Sequence, residues 1–491
     1  MTKRSLIAIA VMGAIYSSQG MAEIDGWDTA ASGIQTDGGI DVGADARRAA
    51  TQQNYFTSDG DYNIWVNPAL INQYKGKAYG ALGTYTGGTN AGVNDGSTTD
   101  LAGANIETGF GTIGLYLGRA YTGFLDATAA GPIEGLYSGG FGALDGSGVL
   151  GSNLVATAGA SATPTNWFDL FYGMNMGDMD LGVRFNWASS SASVKGLTGA
   201  AGGGVTTSKN ESSMSMRDIN LAVGVKMKSL PIDASFSMGL PSMSDTESFA
   251  QTNGGGADSL EQAMETDGAM DLSFAARYEL SKSKKSRTLI SGFFSMENAS
   301  VKLSQKEVVA SATTIDDSDT IDSGTTGFGL YASQEMKPKA GVSVITSAGA
   351  IYSKNTIESK YTDNQAGTPL QNHDIATTSS ISIPVSLSIE AKAKKNWTLR
   401  GSMARNLYST GSATNETKLA GGVAPAPTGV VEGGVSTTPQ AVSIALGASY
   451  MMGPLSIDAT VNRDLLFEGP NVISGQSDPI AGQLSLVYNL K

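Results

Sequence analysis

From Leu455 onward, the side chains of this chain alternate between apolar and polar with a period of two. Leu455, Ile457, Ala459 and Val461 share one face of an extended strand, and Ser456, Asp458, Thr460 and Asn462 share the other. The terminal run repeats this, with Leu484, Leu486, Tyr488 and Leu490 on one side and Gln483, Ser485, Val487 and Asn489 on the other. A soluble core needs no polar group at every second position. A wall with lipid outside and water inside does, and a sheet pairs every backbone group within a bilayer only when it closes on itself. The same phase returns upstream. Met179, Leu181, Val183, Phe185 and Trp187 alternate with Asp180, Gly182, Arg184 and Asn186, and Met270, Leu272, Phe274, Ala276 and Tyr278 alternate with Asp271, Ser273, Ala275, Arg277 and Glu279. Ile381, Ile383, Val385, Leu387 and Ile389 stand against Ser380, Ser382, Pro384, Ser386, Ser388 and Glu390. The expected fold is all-β, a transmembrane antiparallel up-and-down barrel.

The pattern predicts strands near 77–85, 102–109, 112–120, 166–175, 179–190, 215–227, 231–241, 268–280, 287–300, 324–335, 340–353, 378–392, 396–408, 440–451, 454–463 and 480–490. That is about 16 strands, with 14 the alternative count. Connections alternate in length. Those at 109–111, 176–178, 228–230, 281–286, 336–339, 394–395 and 452–453 are tight, whereas 121–165, 191–214, 242–267, 301–323, 354–377, 409–439 and 464–479 are long and rich in Gly, Ser, Thr and Asp. Short periplasmic turns and long extracellular loops give that rhythm. Aromatic residues form two expected girdles: Trp167 and Trp187 toward the long loops, and Trp397, Tyr278, Tyr450 and Tyr488 toward the short turns.

Composition narrows the class. Charged residues are 16% of the 491, against about 25% in soluble proteins, and the 41% that are hydrophobic are scattered singly. Residues 1–22 have the form of a signal peptide: Lys3 and Arg4, an apolar run from Leu6 to Tyr16, and Gly20-Met21-Ala22 before the expected cut. Three regions follow: 1–22 as the signal peptide, 23–76 as an N-terminal plug or periplasmic arm, and 77–491 as the barrel. Export and the absence of cysteine suit the outer membrane of a Gram-negative bacterium. A net charge of −13 argues against nucleic acid as a partner. The partners expected are outer-membrane lipid and small solutes, with self-association into a homo-oligomer left open.

Few residues suggest chemistry. Gly109-Phe110-Gly111-Thr112-Ile113-Gly114 fits a dinucleotide fingerprint, but a strand follows where the fingerprint requires a helix. His373 is the sole histidine, expected in a solvated loop, and gives a histidine-based hydrolase a single candidate. Asp316, Asp317, Asp319 and Asp322 could offer oxygen to calcium, yet lack the glycine turn and closing glutamate of an EF-hand, so a plain acidic loop is the reading. No enzyme, cofactor or metal is expected. The residues through which a pore would act are charges in the inward phase: Asp180, Arg184, Asp218, Lys226, Asp233, Asp271, Arg277, Glu279, Glu390, Arg400 and Asp458. On the lipid face, an Arg or Lys at the midplane would cost about 2–4 kcal/mol.

The alternation, the signal peptide and the closing Leu484-x-Leu486-x-Tyr488-x-Leu490 resemble the Gram-negative outer-membrane barrels, although Lys491 stands where a final aromatic is usual. Val66-Asn67-Pro68-Ala69-Leu70-Ile71 resembles the Asn-Pro-Ala segment of the long-chain fatty-acid transporter family. That resemblance implies a plug built from residues 23–76 carrying Asn67, Pro68 and Ala69, and hydrophobic cargo. The strand count exceeds the 14 of that family. The leading expectation is a porin-like channel for small polar solutes. A plugged barrel for hydrophobic substrates is the alternative, followed by an outer-membrane hydrolase and by a surface adhesin or structural barrel.

Overall fold

The computed structural model describes residues 46–82, 101–117, 166–199, 205–253, 256–309, 312–363, 370–420, 431–436, 442–461 and 481–490. Its strands are β1 (Lys77–Leu82), β2 (Leu101–Thr108), β3 (Gly111–Leu117), β4 (Asn166–Met176), β5 (Met179–Gly199), β6 (Val205–Met227), β7 (Ile232–Asn253), β8 (Gly256–Lys282) and β9 (Ser286–Val309). They continue with β10 (Ala312–Lys339), β11 (Val342–Asp363), β12 (Leu370–Lys394), β13 (Trp397–Ala420), β14 (Val431–Ser436), β15 (Ser443–Met452), β16 (Leu455–Val461) and β17 (Ala481–Asn489). All belong to one sheet, and β1 pairs antiparallel with both β2 and β17, so the sheet closes on itself. Closure leaves no unpaired edge in the wall.

Seventeen strands occupy sixteen positions. β14 and β15 both pair with β13, and the step from Gly411 back to Ala404 matches the step from Ser436 forward to Ser443. They are two pieces of one strand.

Among the described residues the strands differ in length. β5 to β13 run from 21 to 28 residues, whereas about 9–11 suffice to cross the hydrocarbon. This corrects the expected loops at 191–214, 242–267, 301–323, 354–377 and 409–439, most of which are strand. β5 and β6 stay paired as far as Gly199 and Thr207, and β9 and β10 as far as Val309 and Ala312. The acidic run from Asp316 to Asp322 belongs to β10, and His373 to β12. The physical reason is solvent. Beyond the lipid both faces of a strand meet polar surroundings, so the ladder continues while the hydrophobic alternation that marks it stops. The expected loops 121–165 and 464–479 lie outside the described residues.

Within the belt the phase is clear. Val183, Val223, Phe236, Phe274, Phe294, Phe328, Tyr352 and Ile381 are joined by successive cross-strand pairs into one outward row over β5 to β12. Of these, all but the half-buried Tyr352 are exposed at the protein surface. Ser235, Ser237, Ser291, Ser295, Ser347, Ser386 and Ser388 occupy the opposite face and are buried. This is the inverse of a soluble barrel and defines a transmembrane one. At the short-turn end, the rings of Trp397 and Tyr450 pack 4.9 Å apart on the outer face.

Residues 46–76 run inside the barrel. A helix α1 (Ala46–Thr51) is followed by two 3-10 turns, Asp61–Trp65 and Pro68–Gln73. Pro68 opens the second turn, where its fixed φ and missing N–H cost nothing, and Asn67 caps it by accepting from the Ala69 N–H at 3.1 Å. On the tall strands, each wall residue bonded to this segment lies in the half nearest a short turn.

Candidate functional site: a lumen bridged by residues 46–76

Four charged positions stand in register across the inner wall of β5 to β8: Asp180 opposite Lys226, Lys226 opposite Asp233, and Asp233 opposite Arg277. The Arg277 guanidinium donates to Asp233 at 2.7 Å through Nη2 and at 3.1 Å through Nε. Its Nη1 donates to the carbonyls of Tyr55 (3.0 Å) and Ser58 (3.1 Å), and the group lies 4.3 Å from the centre of the Tyr55 ring. The Tyr55 hydroxyl donates to Asp233, and Asn67 Nδ2 reaches both Asp233 and the Val225 carbonyl. One buried ion pair of the wall therefore holds Tyr55, Ser58 and Asn67 of the inner segment. Asp59 adds a fourth contact, bridging Arg277 and Arg287, and Arg287 also pairs with Glu279.

A second anchor lies beside the first. Arg184, fully buried, donates to the Trp65 carbonyl at 2.6 Å and to Asn220 at 2.7 Å. A third lies across the lumen. Arg47 pairs with Glu390 at 3.0 Å, and Arg400 pairs with Asp458 at 2.6 Å and with Glu390 at 3.6 Å. Gln53 donates to Ser388, Gln52 to Ser443, and Ser402 donates to the Ala50 carbonyl. The segment thus spans the barrel from β4–β9 to β12–β16.

The wall is also shaped to receive it. Gly173, Gly182 and Gly224 are directly paired across β4, β5 and β6, and each faces inward. A Cβ on Gly182 would lie 2.2 Å from the Pro68 carbonyl carbon, one on Gly224 2.0 Å from Asn67 Oδ1, and one on Gly173 2.4 Å from Ile71. The Asn67-Pro68-Ala69 turn rests on bare backbone.

All eleven charges in the inward phase are buried or half-buried, and most are drawn into two groups. Lys226, Asp233, Arg277 and Glu279 gather at the first anchor, and Glu390, Arg400 and Asp458 at the third. Asp180 accepts from Asn175 at 2.8 Å and lies 3.4 Å from Lys228. Asp271 lies against Gly239, and Asp218 is buried on β6. His373 is elsewhere, on the outer face of the projecting half of β12, with Nε2 2.6 Å from Glu358.

The aromatic part of the site was missing from the charge pattern. Tyr55, Phe56, Ile64, Trp65, Leu70 and Ile71 of the inner segment form one apolar cluster with Tyr116, Phe171, Phe293 and Tyr331 of the wall. Phe56 stacks on Tyr331 with ring centres 5.4 Å apart, and Trp65 packs edge-on against Tyr116 and Phe171 at 4.9 and 5.0 Å. The signal for them is apolar residues in both phases of one strand: Phe171 stands between Leu170 and Tyr172, and Phe293 beside Phe294.

No protein-family model matches the chain, and no curated protein sequence does. Among solved structures it is similar to the ferric yersiniabactin uptake receptor FyuA of Yersinia pestis, at 10% identity and a TM-score of 0.31 over 79% of this chain and 70% of that one. It is similar to the translocator domain of autotransporter NalP of Neisseria meningitidis, at 12% identity and a TM-score of 0.25 over 64% and 89%. The siderophore receptor PiuA of Acinetobacter baumannii matches at 8% identity and a TM-score of 0.20 over 84% and 81%. The class rests on the wall itself: a closed sixteen-position antiparallel barrel, apolar outside and polar within, of the kind built into outer membranes.

Proposed function

We propose that the protein is a plugged transporter of the Gram-negative outer membrane, which carries cargo when residues 46–76 shift, and not a standing-open diffusion pore. The observation that carries this reading is the segment itself, fixed to opposite sides of the lumen by Arg277, Arg184 and Glu390. The cargo inferred is a small apolar or amphipathic molecule. The seam between segment and wall is lined by Tyr55, Phe56, Trp65, Tyr116, Phe171, Phe293 and Tyr331, which would offer such a molecule contact area wherever the seam opens. Transport without catalysis is part of the proposal, since His373 faces away from the lumen.

The porin reading, diffusion of small polar solutes past charges of both signs, is kept as the second, because the inward wall carries Asp180, Lys226, Asp233 and Arg277 in one row. Liposome swelling with sugars of graded size separates the two. The plugged reading expects negligible swelling by the wild type, with uptake of a fatty acid or similar amphiphile intact. Ala50→Cys with Gly447→Cys supplies a lock: the two β-carbons would start 2.5 Å apart, so helix α1 must give by about 1 Å to reach the ~3.5–4.5 Å of a relaxed disulfide, and the chain has no other cysteine. Oxidation should stop uptake and a thiol reductant restore it. Swelling by the locked protein equal to that of an open porin would refute the proposal.

A further inference from the structure

Eight lysines at the short-turn end are gathered on one arc. The end of β8 and its turn into β9 carry Lys282, Lys284 and Lys285, the end of β10 carries Lys337 and Lys339, and the end of β12 and its turn into β13 carry Lys392, Lys394 and Lys395, all exposed. The three turns are stitched together by backbone: the Lys337 N–H donates to the Lys285 carbonyl at 2.7 Å, and the Lys392 N–H to the Gly341 carbonyl at 2.8 Å. Six strands at about 4.8 Å spacing make this arc roughly 25 Å wide. Only Lys282 and Lys337 have acidic partners, Glu279 and Glu335. Among the described residues no acid lies within ion-pair distance of Lys284, Lys285, Lys339, Lys392, Lys394 or Lys395.

The acids of this region are already engaged: Glu279, Glu335 and Glu390 are received by Arg287, Ser343 and Arg47. Lys284, Lys285 and Lys395 stand in the turns themselves, beyond the alternation, and Lys339, Lys392 and Lys394 end the strands that carry Glu335 and Glu390. The arc therefore leaves six exposed positive charges uncompensated at the rim in a chain whose net charge is −13. Its depth is fixed by its neighbours. Lys394 and Lys395 stand three and two residues before Trp397, whose ring packs with that of Tyr450 on the lipid face, where aromatic residues mark the headgroup layer. The rest of the rim differs: its lysines Lys75, Lys77 and Lys228 are paired with Glu107, Asp61 and Asp180, the β15–β16 turn presents Met451, Met452, Gly453 and Pro454, and the β4–β5 turn Met176, Gly177 and Asp178.

We propose that this arc is a binding surface for anionic phospholipid in the leaflet at the short-turn end, its lysines engaging phosphate headgroups while the Trp397–Tyr450 pair sits at their base. A solvated charged rim would be spread around the barrel; this one covers three adjacent turns at headgroup depth. Attraction of this kind acts over about a Debye length, ~10 Å at 0.1 M salt, so bound lipid should be annular and salt-sensitive.

The test uses the folded full-length protein in detergent, with phosphatidylglycerol and phosphatidylethanolamine of identical acyl chains added at equal concentration. Native mass spectrometry then reads the lipid retained. The wild type should retain phosphatidylglycerol several-fold over phosphatidylethanolamine. A variant with Lys284, Lys285, Lys339, Lys392, Lys394 and Lys395 all changed to Gln should lose that preference, with folding checked by heat-modifiable gel mobility. Lys302→Gln with Lys306→Gln, which removes exposed charge from the projecting half of β9, should keep it. Equal retention of the two lipids by the wild type, a preference that survives the six substitutions, or an equal loss in the β9 control would each overturn the proposal.

Discussion

At the scale of single residues, the inner segment is held by fit and by charge, and the two can be separated. Gly182→Val places branched carbon where even a Cβ meets Pro68 and Ala69, and overpacking of this kind costs about 1–3 kcal/mol. Limited proteolysis of the folded barrel should then cut within residues 46–76, whereas Gly109→Val, at a turn with nothing within 4 Å, should leave them resistant. Arg277→Ala strands Asp233 in the wall without its partner. Breaking a buried pair from one side costs about 3–5 kcal/mol, and the unfolding midpoint followed by the fluorescence of Trp65 should fall accordingly. Asp59 makes the docking pH-dependent. Burial works against its charge, but Arg277 and Arg287 outweigh that and hold its carboxyl at about 2, below the ordinary 3.8. A carboxylate that titrates lower when docked than when released contributes fully above about pH 4, and its contribution fades as pH falls through 2. A protein with Trp65 as its only tryptophan should report that loss on acid titration, and the difference between it and its Asp59→Asn counterpart should vanish at the acid end.

At the scale of elements, how much can be read depends on where the chain changes solvent. Through the belt, Leu181 and Val183 against Gly182 and Arg184 announce both strand and face. Charge at positions such as Arg277 and Glu390 is legible as inward because lipid would not tolerate it. Above the belt the same strands carry Ser189 to Ser193, or Thr313 to Asp322, and composition reads as loop although pairing continues. Side-chain alternation reports a difference between two faces, and it falls silent when both are wet. The inner segment was legible only at Asn67-Pro68-Ala69; its partners Gly173, Gly182 and Gly224 come from three strands and meet only through register. Two halves of one strand should therefore answer mutation differently. Phe274→Arg, facing lipid, should cost about 2–4 kcal/mol in denaturation from bilayers, while Lys302→Ala in the projecting half of β9 should leave the transition where it was.

At the scale of the whole molecule, the described strands run 6 to 11 residues on the side of β1–β4 and β15–β17 and 21 to 28 residues on the side of β5–β13. Anchors on both sides tie residues 46–76 to the low half of this structure, so the projecting half can vary without disturbing the lumen floor. What the projecting sheet offers to the outside is also unusual in kind. Lys302, Thr320, Lys360 and His373 come from four strands and become neighbours only because those strands are paired. An antibody or phage tail fibre arriving from the medium would meet that assembled surface and not a single flexible hairpin. Sera raised against the native protein should bind intact cells and fail on a denatured blot, and peptides copied from any one strand should compete poorly.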